Sequence, residues 1–219
     1  MAWDEIGTLR AVVESQLEAL GRFGVTFELV IIDDGSTDGT SEEADRLAQE
    51  HQEVRVIHHG ANRGLGECYR TGFRDGRGVF LTFFPADGQF PASNLAQLYP
   101  LAESWDLVLG NLPKRTDSLR GALLGRMERL VYRGLFGEMP RLEGVFMLRR
   151  KLLSEIELKS EGRAWTLVWE LILRAHRSGY RIVAAPNTLV PRTHGVSKVS
   201  NVRNIVANLT QLVALRSKL

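Results

Sequence analysis

The chain has 219 residues, 44% of them hydrophobic and 25% charged, and a formal net charge of +2. These values are typical of a soluble globular protein with one domain, and such a weak positive charge does not indicate a nucleic-acid-binding protein. No apolar run approaches the roughly 20 residues that span a bilayer, and the single cysteine, Cys68, excludes an internal disulfide and predicts a reducing, cytoplasmic compartment.

Strands and helices alternate along the chain. The first half predicts a helix over 1–20, a strand over 29–32, a helix over 41–52, a strand over 54–58, a helix ending at 74 and a strand over 79–84. The second half predicts a strand over 106–110, a basic helix over 116–136, a strand over 143–148, a helix over 165–179 and a strand over 180–184. This order predicts an α/β fold with a largely parallel sheet and right-handed crossovers.

The last segment, 201–219, predicts an amphipathic helix that follows the main domain of residues 1–200. Its apolar residues lie on one stripe at helical spacing. A helix packed on its own domain is the preferred interpretation, and a helix lying on a membrane surface is the alternative.

Two carboxylates mark the end of the first predicted strand. An apolar run ends at Asp33 and Asp34, and Gly35 and Ser36 begin the turn that precedes the next helix. Ligands of open α/β sheets bind at the carboxyl ends of the strands. The acids are therefore either ligand-binding residues or caps for the following helix.

A second acid follows the strand over 79–84. Asp87 should emerge on the same sheet edge as Asp34, and Gln89 offers an amide oxygen two residues further on. Oxygen atoms of this kind suit a hard divalent cation that bridges phosphate groups. An ordinary Asp-Gly turn is the alternative interpretation.

Cationic residues follow the last predicted strand and also populate the basic helix. The segment 192–198, RTHGVSK, contains Arg192, Ser197 and Lys198 and is suited to folding over an anionic ligand. The candidate contacts for an anionic acceptor or lipid headgroup are Lys114, Arg115, Arg120 and Arg126. In both places a solvated basic surface is the alternative.

Together these motifs resemble the family 2 glycosyltransferases of GT-A fold, and among them the polyprenyl-phosphate sugar transferases such as dolichyl-phosphate mannose synthases. The resemblance covers nearly the whole chain, and its motifs are VIIDDGSTDGT over 30–40, NRGLG over 62–66, ADGQ over 86–89, ELILRAHRSGYRIVAAP over 170–186 and RTHGVSK over 192–198. It implies a three-layer α/β/α domain that moves a sugar from a nucleotide-diphosphate donor, most simply to a polyprenyl phosphate, by inverting displacement.

The resemblance also implies roles for individual residues. The implied donor-nucleotide residues are Asp33, Asp34, Gly35, Ser36, Asn62, Gly64 and Ser197, although a structural role for the turn over 62–64 is an equal alternative. Asp87 and Gln89 would bind Mg²⁺ or Mn²⁺, and Asp87, Arg192 and Lys198 would act on the departing diphosphate. Hydroxyl-glycosylating relatives often carry a Glu-Asp pair where this chain has Glu170 and Leu171, which favours a phosphate acceptor, with Glu170 as an alternative base.

Two departures from the family pattern concern the donor side of the site. The family usually begins with a central strand ending in a Pro-x-Tyr-Asn-Glu-like segment, and here only the tail of that segment, residues 3–5, is recognisable. Pro85 stands at the first position of the Asp-x-Asp motif and supplies no side-chain ligand. These departures support a second hypothesis, a non-catalytic GT-A-like partner or scaffold domain, while a nucleotidyltransferase-like enzyme is a weaker third. The resemblance also implies that the protein contacts the inner face of the membrane or binds a membrane partner protein there.

Overall fold

The computed structural model describes residues 1–112, 133, 134, 136–138, 140–161, 165–192 and 216. The helices are α1 (Leu9–Gly21), α2 (Thr40–Glu50), α3 (Leu65–Asp75), α4 (Leu95–Ala102), α5 (Leu152–Glu155) and α6 (Thr166–Arg177), with a 3₁₀ turn over Ala92–Asn94. The strands are β1 (Leu29–Asp33), β2 (Val54–His58), β3 (Phe80–Thr82), β4 (Leu107–Asn111), β5 (Phe146–Arg149) and β6 (Ile182–Pro186).

The strands form two separately hydrogen-bonded sheets. Strands β1 and β2 pair in parallel, and the other sheet has the order β3-β5-β4-β6. The pair β4 and β6 is parallel, whereas β5 runs antiparallel to both of its neighbours. The predicted α/β fold with alternating strands and helices is confirmed, and β5 is the strand whose direction differs from the parallel expectation.

Side chains alternate between the two faces of the larger sheet, as the pleat of a β-strand requires. In β4, Leu107 and Leu109 join a cluster with Tyr69 of α3 and Leu171 of α6. Val108 points to the opposite face and joins a cluster built on α4 and the end of α1. Helices therefore cover both faces, which gives the three-layer arrangement and explains the nearly continuous apolar strands.

The first residues of the chain are extended, and the predicted helix over 1–20 begins only at Leu9. Ala2 forms a parallel bridge with Asp33, and Asp4 adopts a positive φ of 51°. A helix cannot pass through that left-handed residue, because helical residues need negative φ. Residues 1–2 thus lie between β1 and the segment after β3 and form hydrogen bonds with both.

One further element differs from the prediction, and two predicted helices cannot be compared with the structure. The helix α4 and the 3₁₀ turn before it were not predicted, and α4 contains Pro100 within its last turns. Most of the predicted basic helix over 116–136 and the predicted helix over 201–219 lie outside the described residues. No helix in the described ranges is long and apolar enough to cross a membrane.

Candidate functional site

Asp33 ends β1 and anchors the loop that leads into α2. Its carboxylate accepts hydrogen bonds from Ser36 N at 3.1 Å, Ser41 Oγ at 2.6 Å and His58 Nδ1 at 2.9 Å. Burial opposes ionisation of Asp33, but these donors outweigh it and lower its pKa. Asp33 is thus a structural support that fixes the geometry of the loop.

Asp34 connects the end of β1 to the loop that follows β2. Its carboxylate accepts hydrogen bonds from Arg63 N at 2.9 Å and Gly64 N at 2.8 Å, and His59 Nδ1 lies 2.7 Å from Oδ1. The other ring nitrogen of His59 lies 2.9 Å from Thr71 Oγ1 on α3. The structure therefore brings Asp34 together with the turn over 62–64, and in this arrangement Asp34 has a demonstrable role in holding that turn.

Gly35 allows these two loops to approach each other closely. It has a φ of 72°, and a Cβ atom at this position would lie 2.6 Å from the carbonyl carbon of Ala61. Only glycine combines this dihedral angle with this proximity at low cost. The Ser36 hydroxyl oxygen accepts a hydrogen bond from Asp4 N at 3.0 Å, so the loop also supports the amino-terminal segment.

Asp87 and Arg192 form an ion pair in the same region. Arg192 Nη2 lies 2.6 Å from Asp87 Oδ2, and the other oxygen of Asp87 accepts a hydrogen bond from Gln89 N at 3.0 Å. The guanidinium also lies 3.5 Å from Gln89 Oε1 and 3.9 Å from Glu5 Oε1. Three oxygen-bearing side chains from two distant segments thus surround one cation.

The two acidic centres lie on the same edge of the molecule because both contact residues 1–2. Asp34 N donates a hydrogen bond to Ala2 O, and Ala86 N donates to Met1 O, each at 2.9 Å. The predicted convergence of Asp34, Asp87 and Arg192 is therefore observed. Ser197 and Lys198 lie outside the described residues, as do Lys114, Arg115, Arg120 and Arg126.

The predicted metal ligands make a poor cation site while Arg192 contacts Asp87. Both oxygens of Asp87 already have hydrogen-bond donors, and Pro85 has no oxygen in its side chain. The other nearby side-chain oxygens are those of Gln89 and Glu5, and both side chains also lie close to Arg192. Because Mg²⁺ prefers six oxygen ligands, the described residues would hold a cation only with Arg192 displaced and with oxygen atoms from other groups.

A second group of potential metal-binding atoms includes Asp34 itself. Ligand atoms of Asp34, His59 and Cys68 lie within 4.8 Å of one another, and all three residues are buried. Burial raises the pKa of the Cys68 thiol to about 12, with the negative charge of Asp34 acting in the same sense. The sulfur is therefore a neutral thiol near pH 7, and both ring nitrogens of His59 already lie within hydrogen-bonding distance of Asp34 and Thr71.

Glu170 is fully buried in α6 and holds the segment before it. Its carboxylate accepts hydrogen bonds from Lys159 N at 3.0 Å, Ser160 N at 2.7 Å and Arg174 Nε at 2.8 Å. Burial opposes ionisation, but the hydrogen bonds outweigh it and lower the pKa of Glu170. A buried carboxylate with these partners has the properties of a structural anchor and not those of a general base.

Glu5 was not predicted as a site residue. It contacts Arg192 and its backbone nitrogen donates to Thr40 Oγ1 at 2.9 Å. The available signal was its place in the segment 3–5, which resembles the tail of the family's nucleotide-binding segment. Because residues 1–20 were predicted to form a helix, Glu5 was not assigned to the site.

Comparisons with known proteins place this chain in a family. The profile described as "Glycosyl transferase family 2" matches residues 1–156. The chain belongs to glycosyl transferase family 2. The family resemblance and the assignment to the glycosyltransferases are confirmed, and the scaffold and nucleotidyltransferase hypotheses lose their support.

Several curated members of the family are similar over most of the chain. Identity is 32% over 202 residues with the undecaprenyl-phosphate mannosyltransferase of Micrococcus luteus, covering 84% of this chain and 81% of that protein. It is 30% over 199 residues with the polyprenol monophosphomannose synthase of Mycolicibacterium smegmatis, covering 84% and 75%. It is 29% over 201 residues with the dolichol-phosphate mannosyltransferase of Saccharomyces cerevisiae, covering 86% and 74%.

A solved structure confirms the fold. Glucosyl-3-phosphoglycerate synthase from Mycobacterium tuberculosis, in complex with Mn²⁺ and uridine-diphosphate-glucose, matches 97% of this family 2 chain and 77% of that chain with a TM-score of 0.66. The sequence identity is 21%, so the match establishes the GT-A architecture alone.

Proposed function

We propose that this family 2 glycosyltransferase transfers a hexose from a nucleotide-diphosphate sugar to a polyprenyl phosphate with inversion at the anomeric carbon. The polyprenyl-phosphate and dolichol-phosphate transferases that resemble the chain at 29% to 32% identity support this acceptor. The observation that carries the proposal is the Arg192 guanidinium held among Asp87, Gln89 and Glu5 beside the Asp34 loop.

Arg192 suits the departing nucleoside diphosphate. In the proposed reaction a phosphate oxygen of the acceptor bonds to the anomeric carbon, and the bond from that carbon to the donor's diphosphate breaks. The electron pair leaves with the diphosphate, which gains negative charge. A guanidinium already oriented by Asp87 stabilises that charge with little reorganisation, and Lys198 is proposed to assist it.

Asp34 and the loops that it joins are proposed to bind the nucleotide. The Asp33 carboxylate fixes the loop that contains Gly35 and Ser36, while Asp34 fixes the turn over 62–64. These loops are held by hydrogen bonds before any ligand arrives. A preorganised loop of this kind loses less conformational entropy when a nucleotide binds.

A divalent cation is proposed to bind at Asp87 and Gln89 only together with the donor. A bound Mg²⁺ or Mn²⁺ would neutralise charge on the donor's diphosphate. Because Arg192 contacts the same carboxylate, cation and guanidinium compete for Asp87 until the diphosphate supplies further oxygen atoms. Free Mn²⁺ should therefore bind weakly to the wild-type protein and more tightly to Arg192→Gln, which electron paramagnetic resonance of free Mn²⁺ would measure.

A phosphate acceptor agrees with the buried state of Glu170. A hydroxyl acceptor must lose a proton, whereas a phosphate monoester is already largely ionised at neutral pH. The hydrogen bonds that hold Glu170 leave it poorly placed to accept a proton. Lys114, Arg115, Arg120 and Arg126 remain the proposed contacts of the acceptor phosphate, and a lipid acceptor implies peripheral contact with the membrane surface.

A transfer assay with purified protein tests the proposal. A panel of radiolabelled nucleotide sugars would be incubated with polyprenyl phosphate, with the corresponding polyprenol, or without acceptor. We expect label in lipid only with the phosphate, loss of transfer in Arg192→Gln, and wild-type transfer in Arg177→Gln, which alters an exposed arginine of α6. Equal transfer to the polyprenol, or no transfer from any donor, would contradict the proposal.

A further inference from the structure

His59 is a buried histidine in contact with Asp34, the acid whose loops are proposed to bind the nucleotide. Its side chain is 5% exposed, and its backbone nitrogen donates a hydrogen bond to Asp33 O at 2.8 Å. Nδ1 lies 2.7 Å from Asp34 Oδ1, and Nε2 lies 2.9 Å from Thr71 Oγ1. The imidazole thus connects the end of β1 to the interior of α3.

The two partners of the imidazole determine which ring nitrogen carries the proton. An ionised carboxylate can only accept a hydrogen bond, so the contact with Asp34 requires a proton on Nδ1. The hydroxyl of Thr71 can donate as well as accept, and Nε2 of a neutral ring can be its acceptor. The contacts therefore favour the tautomer of His59 that donates from Nδ1 to Asp34.

The hydrogen bonds around Asp34 form a closed path through α3. Arg63 N and Gly64 N, which lie immediately before this helix, donate to the carboxylate at 2.9 and 2.8 Å. Thr71 lies within the same helix and is 2% exposed. Asp34 is thus joined to the start of α3 directly and to its interior through His59. Loss of the imidazole would leave a buried carboxylate oxygen without one of its donors, which is costly.

The Asp34 carboxylate has room for one further hydrogen bond. Among the described residues, Oδ1 accepts from His59 and Arg63 N, and Oδ2 accepts from Gly64 N. A carboxylate offers about four acceptor positions, so the position that remains belongs to Oδ2. Because the side chain is 5% exposed, rotation of the carboxylate would change the acceptor position that a ligand could use.

We propose that His59 is a positioning residue, whose Nδ1–H group holds Asp34 Oδ1 so that Oδ2 accepts a single N–H or O–H group of the bound nucleotide. This inference rests on the proposed function, in which Asp34 belongs to the nucleotide site. The contact of Nε2 with Thr71 has a secondary role, because it orients the ring. A histidine that served packing alone would not need a donor directed at Asp34.

Two substitutions of His59 separate its two hydrogen bonds. Asparagine places an amide NH₂ group near the position of Nδ1 and can donate to Asp34, whereas glutamine places its amide near Nε2 and can contact Thr71 instead. Both remove the ring, so we expect similar losses of unfolding free energy in urea. Thr71→Val keeps the shape of the side chain and removes the hydroxyl. The matched control is His176→Gln, which alters an exposed histidine of α6.

Calorimetry with UDP, GDP, ADP, CDP and TDP measures nucleotide affinity, and amide hydrogen exchange of Arg63 and Gly64 reports on the turn without any ligand. For the nucleotide that the wild type binds most tightly, His59→Gln should raise Kd by about tenfold or more, and Thr71→Val by about threefold. His59→Asn and the control should keep Kd within about twofold of the wild-type value. Exchange of the two amides should become about tenfold faster in His59→Gln and remain unchanged in His59→Asn.

Equal Kd values in His59→Asn and His59→Gln, or a wild-type Kd in Thr71→Val, would overturn the inference, since His59 would then act through packing. A nitrogen NMR spectrum that shows the ring proton of His59 on Nε2 would also overturn it. Absence of nucleotide binding and of sugar transfer in the wild type would contradict the proposed function together with this inference. Wild-type sugar transfer with equal Kd values in the two His59 variants would contradict this inference alone.

Discussion

Substitution of Glu170 by glutamine distinguishes between two possible roles of this residue, a structural anchor and a general base. The carboxylate accepts hydrogen bonds from Lys159 N, Ser160 N and Arg174 Nε, and its side chain is fully buried. Each hydrogen bond to a charged group contributes about 1.5 to 3 kcal/mol. Glutamine keeps one acceptor oxygen but turns an NH₂ group towards these donors, so we expect a loss of about 3 kcal/mol in unfolding free energy.

That loss corresponds to a decrease in Tm of about 6 to 12 °C for a chain of this size. Urea and thermal unfolding would measure it, and sugar transfer would be assayed at low temperature, where the variant remains folded. Glu157→Gln is the matched control, since Glu157 is 80% exposed and contacts Lys159 at 3.3 Å on the surface. We expect near-wild-type transfer by folded Glu170→Gln. Unchanged stability with abolished transfer would refute the structural role and assign Glu170 as a base.

Two further predictions concern the loops around the site. Gly35→Ala should lower the unfolding free energy measured in urea by more than about 2 kcal/mol. The control Gly24→Ala, at a residue with a similar φ but no atom within 4 Å of the new Cβ, should lower it by about 1 kcal/mol. Equal losses in the two variants would argue against the close approach of Gly35 to Ala61. Hydrogen bonds to Asp33, and secondarily to Asp45, raise the pKa of His58 in the folded protein. Protonated His58 therefore stabilises the fold fully below the ordinary histidine pKa of about 6.5. This stabilisation is lost as the pH rises through the folded-state pKa. Unfolding free energies measured against pH should show this decrease in the wild type and not in His58→Gln, and parallel profiles would contradict it.

The local pattern around Asp33 was sufficient to predict the strand, the loop and the start of α2. An apolar strand, two acids, glycine and a run of capping residues all favour the same local structure. The strand over 54–58 was predicted with its observed limits for the same reason. In these segments short-range preferences and tertiary packing agree.

The amino terminus was predicted wrongly because its conformation depends on distant partners. The apolar spacing over 1–20 favours a helix, but Met1 and Ala2 bond to Phe84, Ala86, Ile32 and Asp34. Those hydrogen bonds join residues 30 or more positions apart, and no periodicity within the segment indicates them. The direction of β5 depends in the same way on its two neighbours in the sheet.

The ion pair between Asp87 and Arg192 also could not be predicted from the sequence. Sequence predicted that both residues would lie at one site, and it assigned Asp87 to a cation and Arg192 to the diphosphate. The 2.6 Å contact shows that the two side chains pair with each other. Such a pairing depends on how the segment after β6 crosses the edge of the sheet, which residue spacing does not determine.

Donor affinity tests the role of this ion pair most directly. A thermal-shift screen would first identify the nucleotide sugar that binds, and calorimetry would then measure its Kd for the wild type, Asp87→Asn, Arg192→Gln and the double variant. We predict that each single variant weakens binding by about tenfold or more, and that the double variant is no weaker than the poorer single variant, because the two side chains act as a unit. Wild-type affinity in both single variants would contradict a donor site built on Asp87 and Arg192.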